Sequence, residues 1–114
     1  MSATLGNGNI TFGDGTVQST SASMLGMGQG YSDVTSSRAK STTYTNSTGK
    51  PIFVHVSCGN AFQQSGYLYI NGVLADFSVE DTYARNYVAG IVPDGGTYYV
   101  TFTNQSLYHW CELR

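Results

Sequence analysis

The stretch Tyr67-Leu68-Tyr69-Ile70-Asn71-Gly72-Val73-Leu74-Ala75 decides the fold that we expect for this chain. Asn71-Gly72 is the strongest short hairpin signal, because both central residues of the matching turn need positive φ. In the run before the turn, Leu68 and Ile70 alternate with two tyrosines, so the two aliphatic side chains are expected to face a core. The stretch therefore predicts an antiparallel hairpin with one buried face.

The same alternation recurs on both sides of this hairpin. Strands are predicted at 42–46, 52–58, 67–70, 73–75, 87–92 and 98–102, and turn residues follow at 47–50 and 93–96. Residues 76–86 are expected to form a long loop, since they carry three of the seven acidic residues of the chain. Turn signals at this spacing predict an all-β fold, an antiparallel β-sandwich with a small barrel as the alternative.

The composition excludes several classes of protein. Charged residues make up 11% of the chain, but 40% is hydrophobic, so the sequence is not that of a disordered protein. The net charge is −2 and the five basic residues are scattered, which argues against nucleic acid as a partner. The apolar run 51–56 is too short to insert into a membrane. We therefore expect a soluble protein made in a cytoplasm, without a signal peptide and with free thiols at Cys58 and Cys111.

The chain changes character near residue 30, so we divide it into 1–30 and 31–114. Residues 1–30 contain seven glycines and widely spaced apolar residues, and cannot bury enough apolar surface alone to offset the entropy of ordering. They are either a flexible linker or a strand-and-turn segment ordered by packing against copies of itself. Residues 10–12, 13–15 and Val17 predict a strand, a turn and a return strand. Phe12 favours the second interpretation, since a flexible linker does not need a large apolar side chain.

Four motifs, in order along the chain, carry a resemblance to a known family. They are Gly8-Asn9-Ile10-Thr11-Phe12-Gly13-Asp14-Gly15-Thr16-Val17-Gln18-Ser19-Thr20, the pair 33–39 and 43–52, Ile91-Val92-Pro93-Asp94-Gly95, and Trp110-Cys111-Glu112-Leu113-Arg114. With them the chain resembles the C-terminal, distal domain of bacteriophage and prophage tail fibres. A glycine often precedes the Thr-x-Tyr strand in that family, whereas this chain has Ser41-Thr42.

The resemblance implies a homotrimer at the distal end of a fibre, with residues 1–30 intertwined about a common axis as a stem. Its implied function is receptor binding, which attaches the virion to polysaccharide on the host bacterium. The implied partners are the chain itself, the upstream part of the fibre, and a host cell-surface glycan or lipopolysaccharide. The implied location is the virion, after synthesis in the host cytoplasm. The alternatives are a phage-tail-like bacteriocin, a structural trimerisation or capping module, and a fragment of a capsule depolymerase.

Candidate site residues fall into two sets. Those expected at the trimer interface are widely spaced apolar residues and the outward side of one strand: Leu5, Ile10, Phe12, Val17, Met24, Met27, Phe53 and His55. Those expected to contact the receptor are polar loop residues and outward tyrosines: Gln63, Gln64, Tyr67, Tyr69, Asp81, Tyr83, Arg85 and Asn86. Binding residues concentrate on loops held by a rigid scaffold, and tyrosine offers a large rigid face with a polar tip.

Catalytic chemistry is not indicated. Glu80 and Asp81 are adjacent, whereas glycoside hydrolysis needs carboxylates on opposite sides of a bond. There is no Gly-x-Ser-x-Gly motif. We therefore expect no enzyme.

No metal or other cofactor is predicted. His109 and Cys111 would supply two of the four ligands that zinc normally takes. We expect them instead on a core stripe with Leu107 and Leu113. An ion held on a trimer axis by His55 is conceivable and is not predicted. Finally, we expect ion pairs among four residues that anchor the start of the domain to its closing strand: Asp33, Arg38, Glu112 and Arg114.

Overall fold

A computed structural model describes residues 4–6, 9–11, 13–14, 17–18, 24–59, 64–80, 85–103 and 106–114. It is all-β, with one short 3-10 turn at Thr35–Ser37. The strands are β1 Thr4–Gly6, β2 Asn9–Thr11, β3 Val17–Gln18, β4 Tyr31–Asp33, β5 Thr43–Thr45, β6 Ile52–Cys58, β7 Gln64–Ile70, β8 Val73–Glu80, β9 Tyr87–Val92, β10 Thr97–Phe102 and β11 Leu107–Leu113. In the described residues, no helix is long and apolar enough to cross a membrane.

Two four-stranded antiparallel sheets pack face to face. One has the order β5-β10-β7-β8 and is called the β7 sheet below; the other has the order β4-β11-β6-β9 and is called the β6 sheet. The predicted antiparallel sandwich is therefore confirmed. In the N-terminal part, β1, β2 and β3 form a three-stranded antiparallel sheet, which confirms the predicted strand, turn and return strand for the backbone described there.

The β7–β8 hairpin forms at the predicted turn, with φ of 52° at Asn71 and 78° at Gly72. The expected loop at 76–86 is wrong at its start, because β8 continues to Glu80. Phe77 lies opposite Tyr67 on β7, and a bulge near Leu68 and Tyr69 shifts the register of the pairing. Two of the three acidic residues that indicated a loop, Asp76 and Glu80, therefore belong to an edge strand, and Asp81 lies outside the described residues.

The core lies between the two sheets and has the predicted faces. Its buried members are Ile52, Val54, Val56, Cys58, Leu68, Val88, Val92, Tyr98, Val100, Phe102 and Trp110. At one end Tyr44 packs against both Tyr98 and Trp110, with ring centroids 5.8 Å away in each case. A Cβ at Gly66 would lie 2.5 Å from the Phe102 ring, so only glycine fits where β7 crosses that ring.

The expected core stripe on β11 is wrong. Trp110 and Glu112 are the buried residues, whereas His109, Cys111 and Leu113 are on the outer side and half-buried. A register shift between Leu107 and His109 causes the change, because it reverses which side chains of β11 face the core. Of the four residues expected on the stripe, Leu107 is the one that packs against the core. Cys58 is in the core and Cys111 is on the opposite face, and both are free thiols, as expected.

Glu112 is a fully buried carboxylate that ties the two ends of the domain together. Its Oε2 accepts hydrogen bonds from Tyr98 Oη (2.9 Å), Trp110 Nε1 (3.0 Å) and Arg38 Nε (3.2 Å). Its Oε1 pairs with Arg38 at 3.1 Å and with Arg114 at 3.4 Å. The predicted anchoring ion pairs are confirmed for these three charged residues.

Asp33 is the exception among the four residues of the predicted ion pairs. It accepts hydrogen bonds from the hydroxyl and backbone N–H of Thr35, which lower its pKa, and lies 3.7 Å from His109. It therefore supports the 3-10 turn.

The environment of Glu112 also changes the titration of its neighbours. Burial lowers the pKa of Arg38, but the hydrogen bond and the charge of Glu112 outweigh it, so that the pKa is raised overall. Burial, with the charge of Glu112, raises the pKa of Tyr98 to about 12. The two pKa shifts keep Arg38 charged and Tyr98 protonated, which are the forms that donate hydrogen bonds to Glu112.

We expect stability to fall with rising pH between about 10 and about 12, because the folded protein keeps the Tyr98 proton that the unfolded chain releases at its ordinary pKa. Urea unfolding at pH 9, 10 and 11 checks this, followed through the fluorescence of Trp110, the single tryptophan. The Tyr98→Phe variant lacks this ionisable group, so its stability should fall less than that of the parent as the pH rises from 9 to 11. An equal alkaline loss in both proteins would contradict it.

Candidate functional site

The outer face of the β7 sheet carries an open cleft of about 370 Å3. Its lining comes from β5, β7, β10 and the turn after β7: Thr43, Tyr69, Gly72, Thr97 and Tyr99. Tyr69 and Tyr99 are directly opposite on neighbouring strands, and their rings meet edge to face at 6.0 Å and 64°. Among the described residues, aromatic rings and threonine hydroxyls therefore border this space, and no charged side chain lines it.

The cleft is held on rigid backbone. Asn71 joins the β7–β8 turn to the start of β10, since its N–H donates to the Thr97 carbonyl and its Oδ1 accepts the Thr97 N–H, both at 2.9 Å. Gly72 and Thr97 are therefore fixed relative to each other. A site built on strands keeps its geometry without ligand.

The outer face of the β6 sheet carries an apolar row that crosses all four strands. We call it the sheet-face patch; in register order it consists of Tyr31, Leu113, Phe53 and Ile91. Tyr31 is 69% exposed and Ile91 is 53% exposed. Contiguous apolar surface on the outside of a domain is the kind of surface through which proteins contact other molecules.

A second apolar surface follows β8, and we call it the edge patch. It consists of three residues that point outward in the β7–β8 register, Leu74, Phe77 and Val79. Phe77 is 60% exposed although it is a phenylalanine on an edge strand. The molecule therefore has two separate apolar patches, one on each sheet.

Polar groups lie beside the sheet-face patch in the next row of the β6 sheet. His55 stacks on Tyr87 with ring centroids 5.5 Å apart, and Cys111 lies between Asp33 and His55. Burial raises the pKa of the Cys111 thiol, and the charges of Asp33 and Glu112 raise it further. A thiol with a raised pKa is a poor nucleophile at neutral pH.

The residues predicted to contact the receptor do not form one group. Tyr67 and Tyr69 point outward from β7 as expected, and Tyr69 lines the cleft. Arg85 is exposed and lies over the Tyr108 ring at 3.7 Å, a cation–π pair. Gln64 begins β7, and only its backbone is described. Gln63, Asp81 and Tyr83 lie outside the described residues.

Asn86 departs from the expectation of a contact residue because it is buried. Its carbonyl accepts the backbone N–H of Cys58 at 2.9 Å, and its side-chain amide donates to the Ser78 carbonyl at 3.4 Å. Asn86 thus joins the edges of the two sheets, and its side chain is not presented to a ligand.

The structure describes the residues predicted at the trimer interface to different extents. Phe53 and His55 lie on the outer face of β6, opposite the core, as predicted. Met24 and Met27 are exposed in a turn before β4. For Leu5, Ile10 and Val17 the structure gives the strand backbone, and Phe12 lies outside the described residues.

Sequence reasoning missed most of both apolar patches and of the cleft. The edge patch was hidden by the expected loop at 76–86, although the alternation of Phe77 and Val79 with polar neighbours is a strand signal. The cleft depends on cross-strand neighbours, and Thr43 meets Tyr99 only through the pairing of β5 with β10. No single-strand pattern contains that pairing.

In the described ranges, no three His, Cys, Asp or Glu side chains come together as a metal site would require. In comparisons with known proteins, no family model and no curated sequence matches this chain.

Proposed function

We propose that this chain is the distal tip of a bacteriophage tail fibre, a homotrimer that attaches the virion to polysaccharide on the host bacterium. The observation that carries the proposal is the outer face of the β7 sheet, where tyrosine rings and threonine hydroxyls border an open cleft. Aromatic faces stack on the C–H faces of sugars and hydroxyls bond their oxygens, so this lining has the chemistry of saccharide recognition. The four motifs shared with tail fibres support the same function.

The trimer is supported by the two apolar patches. In a threefold ring each contact is heterologous, so one surface of a subunit meets a different surface of its neighbour. The sheet-face patch around Phe53 and the edge patch around Phe77 are two such different surfaces. Packing one against the other would cover both patches three times around a closed ring.

The N-terminal part fits the same assembly. The antiparallel sheet of β1, β2 and β3 is small, with strands of two or three residues, and such a sheet needs a hydrophobic face or a packed partner for stability. In the proposed trimer, Leu5, Ile10, Phe12 and Val17 from three chains supply that partner. The exposed Met24 and Met27 would extend the contact towards β4.

We expect the 114-residue chain to sediment as a trimer and to bind immobilised bacterial surface polysaccharide. Phe53→Glu places a charge in the sheet-face patch, so it should give a folded monomer whose apparent affinity is weaker by about 100-fold, since multivalent attachment is lost. Analytical ultracentrifugation and surface binding to a panel of O-polysaccharides and capsules measure the two effects. Ser36→Glu is the matched control, because it adds the same charge at an exposed residue outside both patches.

A monomeric parent chain would overturn the trimer. A stable trimer that binds no polysaccharide on the panel would favour a structural capping module. Release of reducing sugar from a capsule would favour a depolymerase fragment.

A further inference from the structure

We infer that the cleft formed by Thr43, Tyr69, Gly72, Thr97 and Tyr99 binds a neutral pyranose, as one or two rings of a surface polysaccharide; this rests on the proposed adhesive function. Its volume of about 370 Å3 is near the lower end of ligand sites, which run from about 300 to 1,000 Å3. A cleft of that size accommodates a short saccharide segment.

The aromatic pair gives the cleft a shape suited to a sugar ring. The two rings meet edge to face at 64°, so together they form an aromatic wall whose two planes are inclined to each other. A pyranose has an apolar face of C–H groups and a rim of hydroxyls, so it can stack on the face of one tyrosine while its rim meets polar groups. Both tyrosines stand on neighbouring strands in direct register, so the sheet fixes where their side chains leave the backbone.

The hydrogen-bonding groups around the rings are available to a ligand. In the described part of the chain, the hydroxyls of Thr43, Thr97, Tyr69 and Tyr99 take part in no hydrogen bond. Gly72 has no side chain, and the space that a Cβ would occupy there is open. Hydroxyl groups both donate and accept, so they match sugar hydroxyls of either orientation.

The charge of the lining selects among sugars. The five lining residues include no lysine, arginine or histidine, so their hydroxyls offer an acidic sugar no counter-charge. Desolvating a carboxylate without a paired cation is costly, whereas a neutral pyranose exchanges its water for the threonine and tyrosine hydroxyls. The cleft should therefore discriminate against uronic acids and sialic acids.

The test uses the full chain with two sets of small probes: methyl pyranosides of neutral hexoses and 6-deoxyhexoses, and the matching methyl glycosides of uronic acids. Saturation-transfer NMR and chemical-shift titration should give Kd values on the order of 1 mM for at least one neutral probe, as expected for a ligand of about a dozen heavy atoms. The uronic acid with the same ring configuration should bind at least about 10-fold more weakly.

Three variants locate the site. Tyr99→Ala should weaken neutral binding at least about 10-fold, by removing one wall of the cleft. The Thr43→Val, Thr97→Val double variant keeps side-chain shape and strand preference, and should weaken binding by about 5- to 10-fold through the loss of two hydroxyls. Thr45→Val is the matched control for the threonine pair, since Thr45 is on the same strand and face as Thr43 but outside the lining, and it should change Kd less than 2-fold.

The outcomes separate this inference from the proposed function. Polysaccharide binding by the trimer that is unchanged in both cleft variants would overturn the cleft and leave the adhesive function standing. Equal or tighter binding of the uronic acids would overturn the neutral selectivity. If neither a polysaccharide nor a methyl pyranoside binds, both proposals are overturned. If Tyr99→Ala does not fold, the isosteric threonine variant decides, since its effect does not depend on removing a ring.

Discussion

Replacing Glu112 with glutamine should destabilise the domain by about 3–5 kcal/mol. Every group around this carboxylate donates: Tyr98, Trp110, Arg38 and Arg114 all direct O–H or N–H groups at its two oxygens. The NH2 of glutamine would meet donors and find no acceptor, and Arg38, whose side chain is 14% exposed, would keep its charge without the carboxylate that pairs with it. A loss of this size is a large fraction of the stability of a domain this small.

Urea unfolding measures the effect, with the fluorescence of buried Trp110 as the signal. Asp94→Asn removes a carboxylate from an exposed turn and is the matched control, expected to change stability by less than about 0.5 kcal/mol. A loss in Glu112→Gln as small as in the control would mean that the ion pairs contribute nothing to holding the chain ends together. The unfolding slope should stay constant, because the change is made in the native state.

A second large effect is expected at Asn46, a fully buried residue where two loops meet. Its Nδ2 donates to three carbonyls, at distances of 2.7–3.1 Å: Lys50, Val92 and Pro93. Its Oδ1 accepts both the hydroxyl and the backbone N–H of Thr48. Asn46→Asp keeps the shape but sets a carboxylate against three carbonyl oxygens, so we expect a loss of about 3–5 kcal/mol at pH 7.

The loss should shrink as the pH falls towards about 4. The folded environment raises the pKa of the introduced carboxyl above its unfolded value, so the folded protein binds the proton more tightly and regains stability as the group is protonated. Ser47→Asp, at the exposed neighbouring residue, adds the same charge and should change stability by less than about 0.5 kcal/mol. Denaturation midpoints at pH 7, 5.5 and 4 check both statements, and an Asn46→Asp deficit that does not depend on pH would refute the role of the charge.

The features that followed from the sequence were those encoded locally. The alternation in Ile52–Cys58 and the Asn71-Gly72 turn depend on backbone periodicity and turn chemistry, and the structure has both. The pairing of Glu112 with Arg38 was also expected, although only through the family-like motifs in which both residues stand. The alternation of a strand and the residues of a turn can be recognised within one strand or turn, without knowing which strands lie beside it.

The features that the sequence did not reveal depend on the meeting of distant strands. The bulge between Leu107 and His109 exchanges the buried and exposed faces of β11, and nothing in the residue types marks the extra residue. The sheet-face patch collects Tyr31, Phe53, Ile91 and Leu113 from four strands, and no strand contributes more than one of these four residues.

Ser41 has a backbone conformation that most side chains avoid. It adopts a φ of 59°, in the left-handed region that glycine enters without strain. Its N–H donates to the Val100 carbonyl and its hydroxyl bonds Thr101, which holds the residue in that conformation. Contacts to β10 thus offset a backbone cost of about 1 kcal/mol that glycine would avoid.

The edges of the two sheets determine how this domain can associate. Asp76 on β8 accepts the N–H of Ala89 on β9 at 2.9 Å, and Asn86 bonds Ser78 across the same seam, so these two edges face each other. The opposite edges, β4 and β5, are three residues long. Strand addition needs a long row of unpaired backbone groups, and β4 and β5 offer only short ones. Copies of the domain that crowd together on a surface are therefore poorly matched for edge-to-edge fusion at β4 and β5, which favours contacts through side chains on the sheet faces.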